Sequence, residues 1–337
     1  MKLCIGTSKG IVILDPTRGG TPLMALAEPS AIWCMTQDAG DPNVIYAGSN
    51  GFMMSGRGRG ALARSRDGGR NWTDITSSLG TDEDVWALGT PPGRPGEVFV
   101  GTSHARIFRS SDQGQRFREC TAFLKASGRD RWTFPPPPHI PHVRSISFDP
   151  NQSSTMYLGV EEGGVFRSPD LGESFEPLNK GIYTDVHTIV VDPANSRRLY
   201  ATTGNGFYLS ENGGRSWRHI TEGLNRRYTV PLLVNAEGGS AIYTAAAAGA
   251  PPSWSRPPGA DAQFFRSDDH GQSFRPIVTD GGAMRSMVMR LRDDPATPGA
   301  FFAVVNGGEL IRSDSAGESV AAIADQLPPA YDLAVIA

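Results

Sequence analysis

The sequence predicts an all-β chain, a seven-bladed β-propeller of four-stranded antiparallel blades, closed by the C-terminal strand joining the N-terminal blade. Three observations predict it. A short phrase recurs: "SRDGGRNW" from Ser65, "SSDQGQRF" from Ser110, "SPDLGESF" from Ser168, "SENGGRSW" from Ser210 and "SDDHGQSF" from Ser267, with a worn copy, "SDSAGESV", from Ser313. The text ahead of each copy also recurs, as in "DVHTIVVDPANSRRLYATTGNGFYLS". Finally, the chain starts on what reads as a second strand and ends on "AYDLAVIA", which reads as a first strand.

Each unit has the same grammar. An alternating apolar run leads to an Asp-Pro turn, then to a short run ending near Gly, a glycine turn, a run ending at Ser, the repeated phrase and a last short run. Period-2 alternation bounded by turn residues marks strands, so each unit holds four. The second strands are "KLCIGT", "VIYAGS", "VFVGTS", "MYLGVE", "LYATTG", "IYTAAA" and "FFAVVN". Seven units in the chain give about 48 residues each, the period of a propeller blade. Pairing the last strand with the first blade removes open sheet edges. One closed ring over 1–337 implies a single domain.

Composition narrows the function classes. The 337 residues carry a formal net charge of −3 and no long run of one sign, which argues against nucleic acid as a partner. The 40 Gly and 26 Pro are spread along the chain, as many turns require. Three scattered cysteines, Cys4, Cys34 and Cys120, make neither a disulfide framework nor a Cys-x-x-Cys metal pair. No run approaches the roughly 20 apolar residues of a membrane helix, and the start lacks a signal-peptide pattern. A cytoplasmic location without membrane contact is expected.

The repeated phrase reads Ser/Thr-x-Asp-x-Gly-x-x-Trp/Phe. It resembles the Asp-box, or BNR repeat, of propellers of the sialidase, sortilin, xyloglucanase and photosystem-assembly-factor types. That resemblance implies either hydrolase chemistry or a docking role. The early Arg-Ile-Pro segment of sialidases is absent, and their six blades do not match seven units. The phrase itself is a structural corner: Ser and Asp bond the turn backbone, Gly supplies positive φ, and the aromatic anchors the outer strand.

A site is therefore expected on the opposite face, where inner strands begin. Three insertions fall there: "GSNGFMMSGRGRGALAR", "LKASGRDRWTFPPPPHIPH" and "AAAAGAPPSWSRPPGADAQ". Long loops in compact domains are disproportionately functional. Aligning "IWCM", "VWAL", "VRSI", "VHTI", "TVPL", "MRSM" and "YDLA" places Trp33, Trp86, Arg144, His187, Val230, Arg285 and Asp332 at one level by the channel. Arg144 and Arg285 suit an anion, and Trp33 and Trp86 a sugar or aromatic ring. His187 with Asp332 or Glu162 forms the expected proton-moving pair. His142, His104, Tyr228 and Arg57 complete the expected binding set. No cofactor is assigned, but a divalent metal is a candidate, held by His104, His142 and His187 with Glu161 or Glu162 near. The expected partner is a small-molecule or carbohydrate ligand. The alternative is a protein partner docked on the arginine-bearing rim of Arg57, Arg59, Arg106, Arg129 and Arg131.

Overall fold

A computed structural model describes residues 1–16, 21–51, 59–235, 241–279, 282–314 and 317–336. Seven antiparallel sheets form the blades. Their inner strands are Ala330–Ile336, Ile32–Gln37, Val85–Gly89, Val143–Asp149, Val186–Asp192, Tyr228–Val234 and Val288–Asp293. In chain order from the N-terminus we number the blades one to seven. Blade one takes its inner strand from the C-terminus: Ala330–Ile336 pairs with Lys2–Thr7 from Lys2↔Ile336 to Thr7↔Ala330. Each second strand expected from the sequence is present. One blade differs from the four-strand plan. Blade seven gains a fifth strand, Val278–Thr279, which pairs parallel with Ser319–Ala324. Among the described residues, no helix is long and apolar enough to cross a membrane.

The core lies between blades, where apolar faces of neighbouring sheets meet. Tyr46, Phe99, Phe166, Phe207, Phe264 and Phe301 are fully buried there. Burying such rings supplies the main stabilising term, roughly 1.5–3 kcal/mol for each side chain. The three cysteines are free and buried, and burial pushes the Cys120 thiol up to about 11 and the Cys4 thiol to about 12.

The repeated turn is a hydrogen-bonded corner with one geometry in five copies. The Ser168 hydroxyl donates to Asp170 Oδ1 at 2.9 Å and accepts the Gly172 N–H at 2.8 Å. The same pair of bonds joins Ser65, Asp67 and Gly69; Ser110, Asp112 and Gly114; and Ser267, Asp269 and Gly271. In the remaining copy the Asn212 amide oxygen replaces the carboxylate, 3.0 Å from Ser210. Gly172 has φ +93°, and a Cβ there would lie 2.6 Å from Cys120 Sγ of the neighbouring blade. The turn therefore both needs a left-handed residue and packs against the next blade, and glycine meets both demands.

These corners should make the fold acid-sensitive. Bonds from the Asn71 backbone and side chain hold the Asp67 carboxyl down to about 2. Asp170 and Asp269 are also lowered, burial being outweighed by the bonds they accept. A carboxylate with a depressed folded-state value contributes stability above its unfolded value and loses it as pH falls through the folded one. Stability should therefore drop as pH falls from about 4 toward 2. Asp170→Ala should cost about 1–2 kcal/mol at neutral pH. Asp170→Asn, which copies the Asn212 corner, should cost less and flatten the pH dependence. Urea unfolding from pH 2 to 7 checks both, and equal costs would refute the account.

Candidate functional site

The register of the inner strands builds the site. In all seven, pairing with the second strand skips at the start: between Ile32 and Cys34, Val85 and Ala87, Val143 and Ser145, Val186 and Thr188, Thr229 and Leu232, Val288 and Arg290, and Asp332 and Ala330. Such a bulge leaves an extra residue and re-aims its side chain. The bulged residues are Trp33, Trp86, Arg144, His187, Val230 with Pro231, Met289 and Tyr331. They form a plug at the end of the channel where the inner strands begin. Trp33 meets Trp86 edge-on at 5.5 Å and Tyr331 at 5.0 Å, and the Arg144 guanidinium lies 4.9 Å from the Trp33 ring. His142 stacks on Trp86, and Phe134 caps both rings edge-on.

Two insertions seal this end rather than leave it open. In the first, Trp132 packs on Phe123 and Phe166, and Phe134 reaches the plug. In the second, Trp254 sets its edge against Tyr228, which lies 4.7 Å from His187. Trp33 and Trp86 are 5% and 3% exposed, which leaves no free face on which a sugar ring could stack.

Beside the plug lies a polar cluster at the junction of blades four and five. Glu161 and Glu162 come from the turn after Gln152–Val160, and Asp185 and His187 from the start of Val186–Asp192. His142 Nε2 is 2.9 Å and Arg144 Nε 3.5 Å from Glu161 Oε2. His187 Nε2 is 3.2 Å from Asp185 Oδ1, and His187 Nδ1 is 2.6 Å from the Thr229 carbonyl oxygen. Ligand atoms of Glu161, Asp185 and His187 all lie within 4.8 Å of one another.

Burial and charge push these groups apart. Burial opposes charge on Glu161, but His142, His187 and Arg144 outweigh it and hold the carboxyl down at about 2. Burial drives His142 down against the pull of Glu161, which lies 2.9 Å from its Nε2. Burial also opposes charge on His187, but Asp185 and Glu161 win and raise it. Glu162 moves upward: burial raises it first, then the like charges of Asp185 and Glu161. Glu162 also adopts φ +55°, a left-handed conformation unfavourable for a residue with a Cβ.

The larger cavity lies in the other half of the channel. It measures about 480 Å³ and reaches Gln37, Pro92 and Pro150, toward the ends of the inner strands and the face of the repeated turns. Arg144, Arg290, Arg292 and Asp332 are the charged residues in its wall. Asp332 accepts Arg290 Nε at 3.0 Å and Arg292 Nη2 at 3.1 Å on one oxygen, and the Met35 N–H at 2.9 Å on the other. At the plug end, the crevice beside Trp86 and Phe134 holds only about 40 Å³.

These positions revise several expectations. Trp33, Trp86, Arg144, His187 and Tyr228 do gather at one level, but as packing around a sealed plug. Arg285 stands ahead of the inner strand, exposed, with its carbonyl bonded to the Ala260 N–H; Met289 takes the position expected for it. Asp332 is one residue past the bulge at Tyr331, so it points to the cavity and the Arg pair. The Asp332 slip is by one residue, which alternation cannot exclude, and the Arg285 slip is by four, an even shift that keeps the alternating pattern unchanged. The carboxylate partner of His187 is Asp185, not Asp332. His104 is half-exposed and faces Glu83 at 3.4 Å, so it does not join His142 and His187. Arg57 lies outside the described residues. On the rim, Arg106 is committed to Glu83 and Glu119, Arg129 to the carbonyls of His104 and Ala105, and Arg59 meets Asp82. Sequence reasoning missed Asp185, Arg290 and Arg292. The Asp-x-His spacing in "DVHTI" was the unused signal for Asp185.

No family model matches the chain. Sequence relatives include an oligoxyloglucan-reducing end-specific xyloglucanase of Emericella nidulans, 21% identical over 58% of this chain and 27% of that protein. A xyloglucanase of Hypocrea jecorina is 23% identical over 83% of this chain and 30% of its own length. Sortilin of Rattus norvegicus is 28% identical over 36% of this chain and 14% of its own. The chain thus spans less than a third of these curated relatives. Among solved structures, the GH74 xyloglucanase from Xanthomonas campestris aligns with a TM-score of 0.69 at 15% identity, over 92% of this chain and 49% of that one. YCF48 bound to D1 peptide aligns with a TM-score of 0.61 at 15% identity, over 89% and 85%. The shared feature is the propeller fold.

Proposed function

We propose that the chain is a hydrolase- or lyase-type enzyme acting on a carbohydrate or small anionic ligand beside the plug, with the cluster of Glu161, Glu162, Asp185 and His187 as its reacting centre. One observation carries this reading: neighbouring carboxyls in one cluster are pushed in opposite directions, Glu162 upward and Glu161 down to about 2. Pairs of titratable groups separated in this way divide into an acid and a base. Glu162, partly exposed and raised, is the proton donor. Glu161, held ionised, forms with Asp185 and His187 the side that binds and orients water or substrate. Arg144, held against Glu161, supplies positive charge for an anionic group.

The test is a panel of aryl glycosides, xyloglucan oligosaccharides and uronate-bearing sugars, assayed with the wild type and Glu162→Gln. Glu162→Gln should lower kcat roughly 100-fold or more with little change in KM. A donor must be protonated, so the wild-type rate should fall as pH rises through the raised Glu162 value. An inert wild type across the panel, or an unaffected variant, would sink this reading. A peptide-docking role is the second reading, favoured by coverage of 85% of the peptide-bound YCF48 chain. Recovery of one stoichiometric protein partner by the inert wild type would support it.

A further inference from the structure

We infer that Glu161, Asp185 and His187 form a binding site for one divalent transition-metal ion of the zinc class. The tautomer of His187 is the starting point. Its Nδ1 lies 2.6 Å from the Thr229 carbonyl oxygen, and a carbonyl only accepts, so Nδ1 carries the hydrogen. In the neutral ring Nε2 is then a bare lone pair. It faces Asp185 Oδ1 at 3.2 Å, and among the described residues neither of these buried atoms has a well-aligned hydrogen bond. Two facing acceptors repel unless a cation lies between them.

The geometry suits a metal ion. Bonds of about 2.0–2.1 Å at a tetrahedral angle put two ligand atoms about 3.3 Å apart. The observed 3.2 Å matches that edge, and a Glu161 ligand atom lies within 4.8 Å of both others. One imidazole and two carboxylates suit zinc and its first-row neighbours better than calcium, which takes a larger all-oxygen shell. The outer contacts are also of the kind metal sites use. The Thr229 carbonyl fixes the His187 ring, and His142 holds Glu161 at 2.9 Å. Three protein ligands leave a fourth position for water, as in catalytic zinc sites. This deepens the acid–base reading of the same cluster, and only that last step rests on it.

The competing occupant is a proton, which would make His187 an imidazolium paired with Asp185. The full-length chain, stripped with a chelator and dialysed, is titrated with zinc chloride and separately with manganese chloride. Calorimetry and elemental analysis read the stoichiometry, and cobalt loading reads the coordination by its visible bands. The expected result is about one ion per chain, with four-coordinate cobalt bands. His187→Gln and Asp185→Asn should abolish binding. His142→Asn should weaken it about 10- to 100-fold. His270→Ala, on the opposite face, should leave it unchanged. Near-UV circular dichroism confirms that each variant is folded, and the wild-type titration stands without them. Absence of stoichiometric binding in the folded wild type, or binding that survives both His187→Gln and Asp185→Asn, overturns the metal site. Metal binding without turnover of the glycoside panel would sink the enzyme reading alone, and turnover by a chain that binds no metal would sink the metal alone.

Discussion

Asp332→Ala should destabilise the chain by about 3–5 kcal/mol, the usual cost of removing one partner of a buried ion pair. Asp332 is 1% exposed, and one of its oxygens serves Arg290, Arg292 and the Leu333 N–H, while the other serves the Met35 N–H. Its loss leaves two guanidiniums facing each other in the channel and a buried strand N–H unpaired. It also lies on Ala330–Ile336, the strand that closes the ring, so the loss falls on the contact joining the chain's two ends. Asp332→Asn should cost less, because the amide oxygen keeps one acceptor. Adding Arg290→Met to Asp332→Ala should recover part of the loss, since neighbours in one network are not additive. Urea unfolding of the wild type, Asp332→Ala, Arg290→Met and the double variant checks the cycle, and Asp332→Asn is measured beside them. An Asp332→Ala cost below about 1 kcal/mol would match an exposed pair instead.

Trp86→Ala carries the other large effect, about 3–5 kcal/mol for an aromatic side chain removed from a packed core. Trp86 is 3% exposed and touches Trp33, Phe134 and stacked His142. Its removal opens a void in the plug and frees the ring of His142, which holds Glu161. Among the described residues the indole Nε1 has no hydrogen-bond partner, so Trp86→Phe forfeits packing alone. It should cost roughly half as much. Thermal unfolding measures the order of the three proteins, and near-UV circular dichroism reports the loss of the aromatic stack. Equal costs for Phe and Ala would show that the indole makes a polar contact after all.

The architecture was legible in the chain because a propeller is periodic. Ser168, Asp170 and Gly172 recur with their counterparts at fixed spacing, and the corner needs only local bonds within a few residues. The inner-strand residues Trp33, Trp86, Arg144 and His187 were legible for the same reason. The site was less so. Asp332 for Tyr331 is a slip of one residue and Arg285 for Met289 a slip of four, and alternation by itself fixes neither the register nor the start of the strand. Nor does spacing record that His104 turns to Glu83 while His142 turns to Glu161.

By itself, the sequence determined seven strand quartets, the repeated corner of most of them and the closure of the ring, because those follow from hydrophobic alternation and turn chemistry along the chain. Only the tertiary structure decided that the bulged residues seal one end of the channel and that the larger cavity lies in the other half. It alone brought Asp185 and His187 of blade five against Glu161 of blade four. Contacts between blades depend on side-chain direction after each bulge, and no local pattern encodes that direction.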